Sequence, residues 1–300
     1  VAGALVVVGV VVLAGCGTDD EPTITRFEAG GPAGEVVLTD DAVWVTDPGH
    51  PVVTRLDRDD GVVAEVALAD PAQAIAAGDE AVWVADVDGG AGSVHRIDPE
   101  GDELTGDVHV GDASDLAVAP HAVWAALLFE DRIVRIDPTS LEVVAEVEVG
   151  ETALGLDVSG DAVWVTHRDD NTLAHVDART NEVLDTVPSQ GSSPFRVVAT
   201  DDVVWVGNFG HNGTVTRLDV RSGATVTSAE LDAAVVGLAV TDEAVWVSDG
   251  NHGRILRLDP STLDVDDEIS LGGSPFDLVA EGDTLWVSDA DDAVLTRVEI

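Results

Sequence analysis

The chain of 300 residues contains no Met, no Tyr and no Lys; its 14 basic residues are all Arg, set against 58 Asp and Glu. The formal net charge of −44 excludes nucleic acid as a partner class, because such a surface repels a phosphate backbone. It repels anionic lipid headgroups in the same way and draws cations and basic partners. A single cysteine, Cys16, excludes a disulfide within the chain. Catalytic signatures are missing too: there is no HExxH, GxSxG, P-loop or Gly-rich dinucleotide fingerprint. The eight His do not pair at metal-ligand spacing. Aromatics are only 4%, yet hydrophobic residues reach 45%, which excludes a disordered chain and supplies a sizeable aliphatic core. Self-repulsion at this charge destabilises a compact state unless salt screens it, and in molar salt the Debye length falls to roughly 3 Å. A high-salt habitat and an acidic secretome from a GC-rich genome both fit this composition.

What is present begins with an apolar run, VAGALVVVGVVVLAGC, followed by polar GTDDEP. The run is short for a membrane-spanning helix, which needs about 20 residues, and has the form of a secretory h-region. The initiator Met and a basic n-region are not in it, so the start of the gene product is expected to lie outside the chain. Leu13-Ala14-Gly15-Cys16 looks like a lipobox. That resemblance implies an acylated Cys16 as first residue of the mature protein, with two or more acyl chains anchoring it stably. The expected organisation is a signal peptide over 1–15 with its lipobox at 13–16, an acidic linker over 16–22, and one domain over 23–300.

All seven tryptophans stand in one repeated phrase: AVWVTD, AVWVAD, AVWAAL, AVWVTH, VVWVGN, AVWVSD and TLWVSD. Trp44, Trp83, Trp124, Trp164, Trp205, Trp246 and Trp286 are 39, 41, 40, 41, 41 and 40 residues apart. Each unit reads as four short β-branched strands joined by turns. A period near 40 residues of this kind predicts a propeller, whose blades cover each other's apolar faces. The fold expected is all-β, a seven-bladed β-propeller of four-stranded antiparallel blades. The last unit stops after its third strand at Ile300, and TITRFE, residues 23–28, aligns with the fourth strand of the unit before. This N-terminal strand is therefore expected to close the last blade and cover its open edge. The tryptophans are read as blade-to-blade packing. The Arg-x-Asp pairs after them, Arg55–Asp57 through Arg257–Asp259, share a strand face and are read as internal ion pairs or turn braces.

A binding surface is expected where the blades open onto the channel mouth. The residue three after each Trp ends its strand there: Asp47, Asp86, Leu127, His167, Asn208, Asp249 and Asp289. Convergent carboxylates raise each other's pKa or hold a cation. Ca²⁺ or Mg²⁺ held by Asp249, Asp289 and His167 is one reading, turn capping by each residue alone the other. No cofactor is required by the sequence. Loops entering the innermost strands give further contacts: Phe195 and Arg196 in SSPFR, and Phe276 and Asp277 in GSPFD. Phe129, Phe209 and His211 stand in the long loops after the second strands. An exposed Phe there points to ligand contact, and a Phe filling the gap between blades is the alternative.

The phrases NTLAHVDARTNEVLDTV and RILRLDPSTLDVDDEISLGGSPFDLV carry a further signal. From residue 23 onward the chain resembles the YVTN-repeat, YncE-like propellers. Its repeats are also similar to those of streptogramin (virginiamycin B) lyase, whose units carry Leu-Trp-Phe-Thr-Glu before Ile-Gly-Arg-Ile-Asp. The second resemblance implies a magnesium-dependent lyase using His and Glu on the channel face, where only His167, with Asp249 and Asp289, stands in. The expected function is that of an extracytoplasmic, membrane-anchored lipoprotein, a monomer binding a small-molecule or protein ligand. The alternative is a lyase- or lactonase-like enzyme at the channel mouth.

Overall fold

The computed structural model describes residues 11–13, 22–128, 130–210 and 212–300. Cys16 and most of the lipobox and linker lie outside the described residues, as do Phe129 and His211. The described chain is all strand and turn, arranged as seven antiparallel sheets. Blade one runs outward through Val36–Leu38, Ala42–Thr46, Val52–Asp57 and Gly61–Ala67. Five further blades repeat this order. Blade seven takes Pro275–Glu281, Thr284–Asp289 and Val294–Glu299 from the end of the chain and Thr23–Glu28 from its beginning. The two ends pair antiparallel, from Thr23 opposite Glu299 to Glu28 opposite Val294. A fifth strand, Val11–Leu13, lies outside Thr23–Glu28, with Val11 opposite Arg26 and Leu13 opposite Ile24.

The core is a set of layers between neighbouring blades, and each tryptophan lies in one. None of the seven is more than 3% exposed. Trp44 of blade one packs with Ala72, Ile75, Val82 and Ile97 of blade two. Trp286 of blade seven packs with Val36, Val43 and Val45 of blade one, joined by Phe27 of the closing strand. Fully burying a large side chain contributes roughly 1.5–3 kcal/mol, so each interface has one large anchor of its own.

The Arg-x-Asp motif divides its labour. Ion pairing inside the motif is confined, among the described residues, to Arg297 with Glu299 at 3.3 Å. The arginines turn over their tryptophans instead, 5.5–5.9 Å from the ring centres in blades one, three, five, six and seven. Blade four replaces the guanidinium with His175, stacked flat on Trp164 at 4.4 Å. A planar cation is favoured over the negative face of an indole, and the imidazole of His175 keeps the same flat packing contact. The aspartates brace turns: Asp57, Asp137, Asp177, Asp219 and Asp259 accept the N–H groups two and three residues on. These hydrogen bonds hold their carboxyls below the usual range.

Candidate functional site at the channel mouth

Each innermost strand starts at the mouth and soon presents one residue to the axis. By register these are Glu35, Ala74, Asp115, Gly155, Arg196, Gly237 and Asp277. Charged groups come from blades one, three, five and seven, and the other three positions carry Ala or Gly. The glycines are required by close approach: a Cβ on Gly155 would sit 2.4 Å from the Phe195 carbonyl oxygen, and one on Gly237 2.5 Å from that of Phe276.

Arg196 reaches across the axis. Its Nη1 donates to Glu35 Oε1, its Nη2 lies 3.6 Å from Asp277 Oδ1, and its Nε donates to the Val236 carbonyl at 3.1 Å. The carboxylates in turn accept backbone N–H groups of the following blade. Glu35 takes Ile75 at 3.2 Å, Asp115 takes Leu156 at 2.8 Å, and Asp277 takes Val36 at 3.0 Å. One layer further in, Asp157 takes Ala199 at 2.7 Å. The network thus clasps successive blades and fills the axis at this level.

Burial sets its electrostatics. Loss of water pushes the Glu35 carboxyl up to about 8, with Asp115 and Asp277 adding to the rise and Arg196 opposing it. Burial likewise pushes Asp115 to about 7 and Asp157 to about 6. Burial works against the charge on Arg196, but Glu35, Asp277 and Asp115 hold its pKa above the ordinary value. A guanidinium ringed by carboxyls is strongly held as a cation.

Above this plug lies an aromatic group. Phe195 and Phe276 meet edge to face at 6.3 Å, and Phe195 lies 6.4 Å from Phe209. The Arg196 guanidinium carbon is 5.1 Å from the Phe195 ring centre and 5.5 Å from that of Phe276. Phe209 is 42% exposed. Phe195, Arg196, Phe276 and Asp277 therefore come together as one constellation. Phe195 and Phe276 help to cover the arginine, while Phe209 opens to solvent.

The residues three after each Trp are placed differently. Asp47 accepts the N–H groups of Gly49 and His50 and pairs with His50 Nδ1 at 2.9 Å. Asp86 takes the Ser93 N–H and pairs with His95 Nε2 at 2.7 Å. Asp249 takes the Ala234 N–H, His252 and Arg254; burial opposes its charge, yet these partners hold it below the usual range. Asp289 takes the N–H groups of Ser274, Asp291 and Asp292. Asn208 donates to the Thr214 carbonyl, and Leu127 is buried. His167 Nδ1 lies 3.0 Å from Thr172 Oγ1, and burial lowers its pKa. The four aspartates are spent on nearby N–H groups, because a short polar side chain at a strand end finds the loop's free N–H groups first, whereas His167 Nε2 and Asn208 Oδ1 are buried without a protein partner. His167, Asp249 and Asp289 belong to blades four, six and seven and are not brought together. Among the described residues no three His, Cys, Asp or Glu side chains are grouped so as to hold a metal ion, so this donor set does not fit the Ca²⁺ or Mg²⁺ expected from it.

No protein-family model and no curated protein matches the chain. Solved structures do. Virginiamycin B lyase from Staphylococcus aureus superposes with a TM-score of 0.81 at 16% identity, over 93% of this chain and 100% of that one. A chain of the mitotic checkpoint complex gives 0.82 at 15% identity, over 92% and 90%. The computationally designed Ika8 protein gives 0.73 at 17% identity, over 97% and 92%. The likeness is one of fold. An enzyme, an assembly subunit and a designed protein share it, so the function must be argued from the site.

The motifs read from the sequence do not single out Glu35, Asp115 or Asp157. A signal exists in register: in seven innermost strands of mostly apolar composition, a charge at the axial position stands out only once the strands are aligned on their tryptophans.

Proposed function

We propose that this chain is an extracytoplasmic lipoprotein, tethered through acylated Cys16, whose propeller binds a ligand or partner protein at the channel mouth. The observation that carries the reading is Phe209, exposed beside Phe195 and Phe276 on top of a charged plug. An axis filled by Arg196 and its carboxyls gives the mouth a floor, so it is a dish and not a pore. Aromatic side chains with one face in solvent and a rigid base are effective contact anchors at interfaces. The acidic surface around them favours partners of positive charge. Kinship with the YncE-like, YVTN-repeat propellers rests on the repeat phrases and agrees with an extracytoplasmic binding role.

Two measurements test this. Mass spectrometry of the membrane fraction is expected to find acylated Cys16 at the N-terminus; an intact apolar leader there would remove the anchor. A photo-crosslinking benzoylphenylalanine at position 209 is expected to give a discrete adduct in cells. The same residue at position 144, on the outer strand of blade three, serves as control. Identical patterns from both positions would remove the mouth as contact surface.

A further inference from the structure

Where blades two and three meet, the arginine–tryptophan stack of blades one, three, five, six and seven is missing. In blades one, three and seven the strand arginine lies over its tryptophan and reaches the next blade's outer turn. Arg135 donates to the Ala178 carbonyl at 2.9 Å, Arg297 donates to the Arg58 carbonyl at 2.7 Å, and Arg55 lies 3.5 Å from Asp102. In blades five and six the arginine keeps the stack on its tryptophan with no such donation among the described residues, Arg257 pairing with Asp266 of its own outer strand; in blade two the stack is missing as well. Arg96 turns away to Thr105 on its own outermost strand, Nη1 to Oγ1 at 3.1 Å. The Pro138 carbonyl, the counterpart of Ala178 and Arg58 in the repeat, receives no donor from Arg96. Gly78 stands where blades one, five and six carry Thr39, Thr200 and Thr241; in blade one that threonine is met by the indole N–H, Trp44 Nε1 to Thr39 Oγ1 at 3.3 Å. Leu141, on the facing turn, holds a left-handed φ of 56° and leans against Gly106, where a Cβ would lie 2.2 Å from its Cδ1. That conformation belongs to the repeat, since Gly61, Asp102, Asn181, Gly223 and Leu263 hold it in the corresponding turns; what is particular to this turn is the leucine side chain resting on a glycine.

These departures open a cleft of about 760 Å³ between the blades, with Trp83, Val118 and Leu141 as apolar walls and Arg96 at one side. The size is that of a small-molecule site. It lies at the far ends of the innermost strands from the channel mouth, so it is independent of the reading above. Its chemistry is specified by what the repeat leaves unmet. Arg96 offers donors, the Pro138 carbonyl offers an acceptor, and the exposed Asp79 and Glu80 with the turn carboxylate of Asp137 outnumber the single cation. That balance rejects an anion and admits an ammonium group.

We propose that the cleft between blades two and three binds a small apolar amide carrying a free amine, such as an amidated aliphatic amino acid or the N-terminal residue of a peptide. The amide oxygen accepts from Arg96, the amide N–H donates to the Pro138 carbonyl, the aliphatic group covers Val118 and Leu141 in front of the buried Trp83, and the ammonium faces Asp79 and Glu80.

The chain has one tryptophan per blade, so 5-fluorotryptophan labelling supplies seven separate reporters. Titration with leucinamide is expected to move the Trp83 resonance saturably and leave those of Trp205, Trp246 and Trp286 in place. N-acetylleucine, its anionic counterpart, is expected to bind at least tenfold more weakly. Thr105→Val releases Arg96 to stack on Trp83 and bridge to Pro138; this exposed substitution is expected to weaken leucinamide binding about tenfold and also identifies the Trp83 signal. No movement at Trp83, equal binding of the two probes, or unchanged affinity in Thr105→Val would each overturn the proposal.

Discussion

At Arg196 a guanidinium is enclosed by two phenyl rings and the carboxyls of Glu35, Asp115 and Asp277. Removing one partner of a buried ion pair leaves the others uncompensated and costs about 3–5 kcal/mol. Arg196→Ala is therefore expected to lower the urea midpoint by that equivalent, with Arg196→Lys intermediate because a lysine cannot serve Glu35, Asp277 and the Val236 carbonyl at once. Gly237→Ala forces a methyl against the Phe276 carbonyl and Ser248 Oγ, both 2.5 Å away; about 1–3 kcal/mol of destabilisation is expected. The same residues set a pH dependence. Glu35, Asp115 and Asp157 bind their protons more tightly folded than unfolded, so their contribution is complete below about pH 4 and is lost as pH rises through about 6, 7 and 8. Asp57, Asp137, Asp177, Asp219 and Asp259 run the other way, and their contribution is lost as pH falls below about 4. On these groups thermal stability is expected to peak near pH 4 and to decline from there through about pH 8. Glu35→Gln with Asp115→Asn should flatten the decline from pH 6 to 8, measured by calorimetry; an unchanged slope would assign that decline to the surface charge instead.

On the level of strands, the closing segment Thr23–Glu28 carries Phe27, 1% exposed and 5.4 Å from Trp286. Phe27→Ala is expected to cost about 3–5 kcal/mol, and deletion of residues 23–28 to leave an exposed edge that associates between molecules, visible as a mass increase in light scattering. The blade count, strand order and closure were legible because the tryptophan fixes a phase and every other strand can be measured from it. The mouth was legible in part. Phe195, Arg196, Phe276 and Asp277 announced themselves by repeating Ser-Pro-Phe two blades apart, whereas Glu35, just before its strand, and Asp115, within its own, have neighbours that differ. The ring of Asp47, Asp86, Asp249 and Asp289 reads as a convergent set in the sequence because periodicity reports equal positions and not the direction of side chains. Their loops supply nearer N–H groups, and the carboxylates turn to those. The Arg-x-Asp motif shows the same limit: two residues on one face need not meet when an indole and a turn are better partners.

As a whole molecule, the propeller carries a net charge of −44 on a closed ring with few cations to offset it. Screening by salt relieves that repulsion, so the melting temperature is expected to rise by several degrees between dilute buffer and 2 M KCl; a flat response would show that the surface carboxylates are already balanced by local hydrogen bonds. The ring has a temporal side as well. Because the first described residues of the propeller pair with the last, from Thr23 with Glu299 onward, six complete blades must wait, unclosed, until the final strand is available. Contacts at such separation form slowly, and an unsealed intermediate presents free strand edges. Loss of Val294–Glu299 is thus equivalent to loss of the leading strand, and a chain cut before residue 294 would be an open arc instead of a slightly shorter protein.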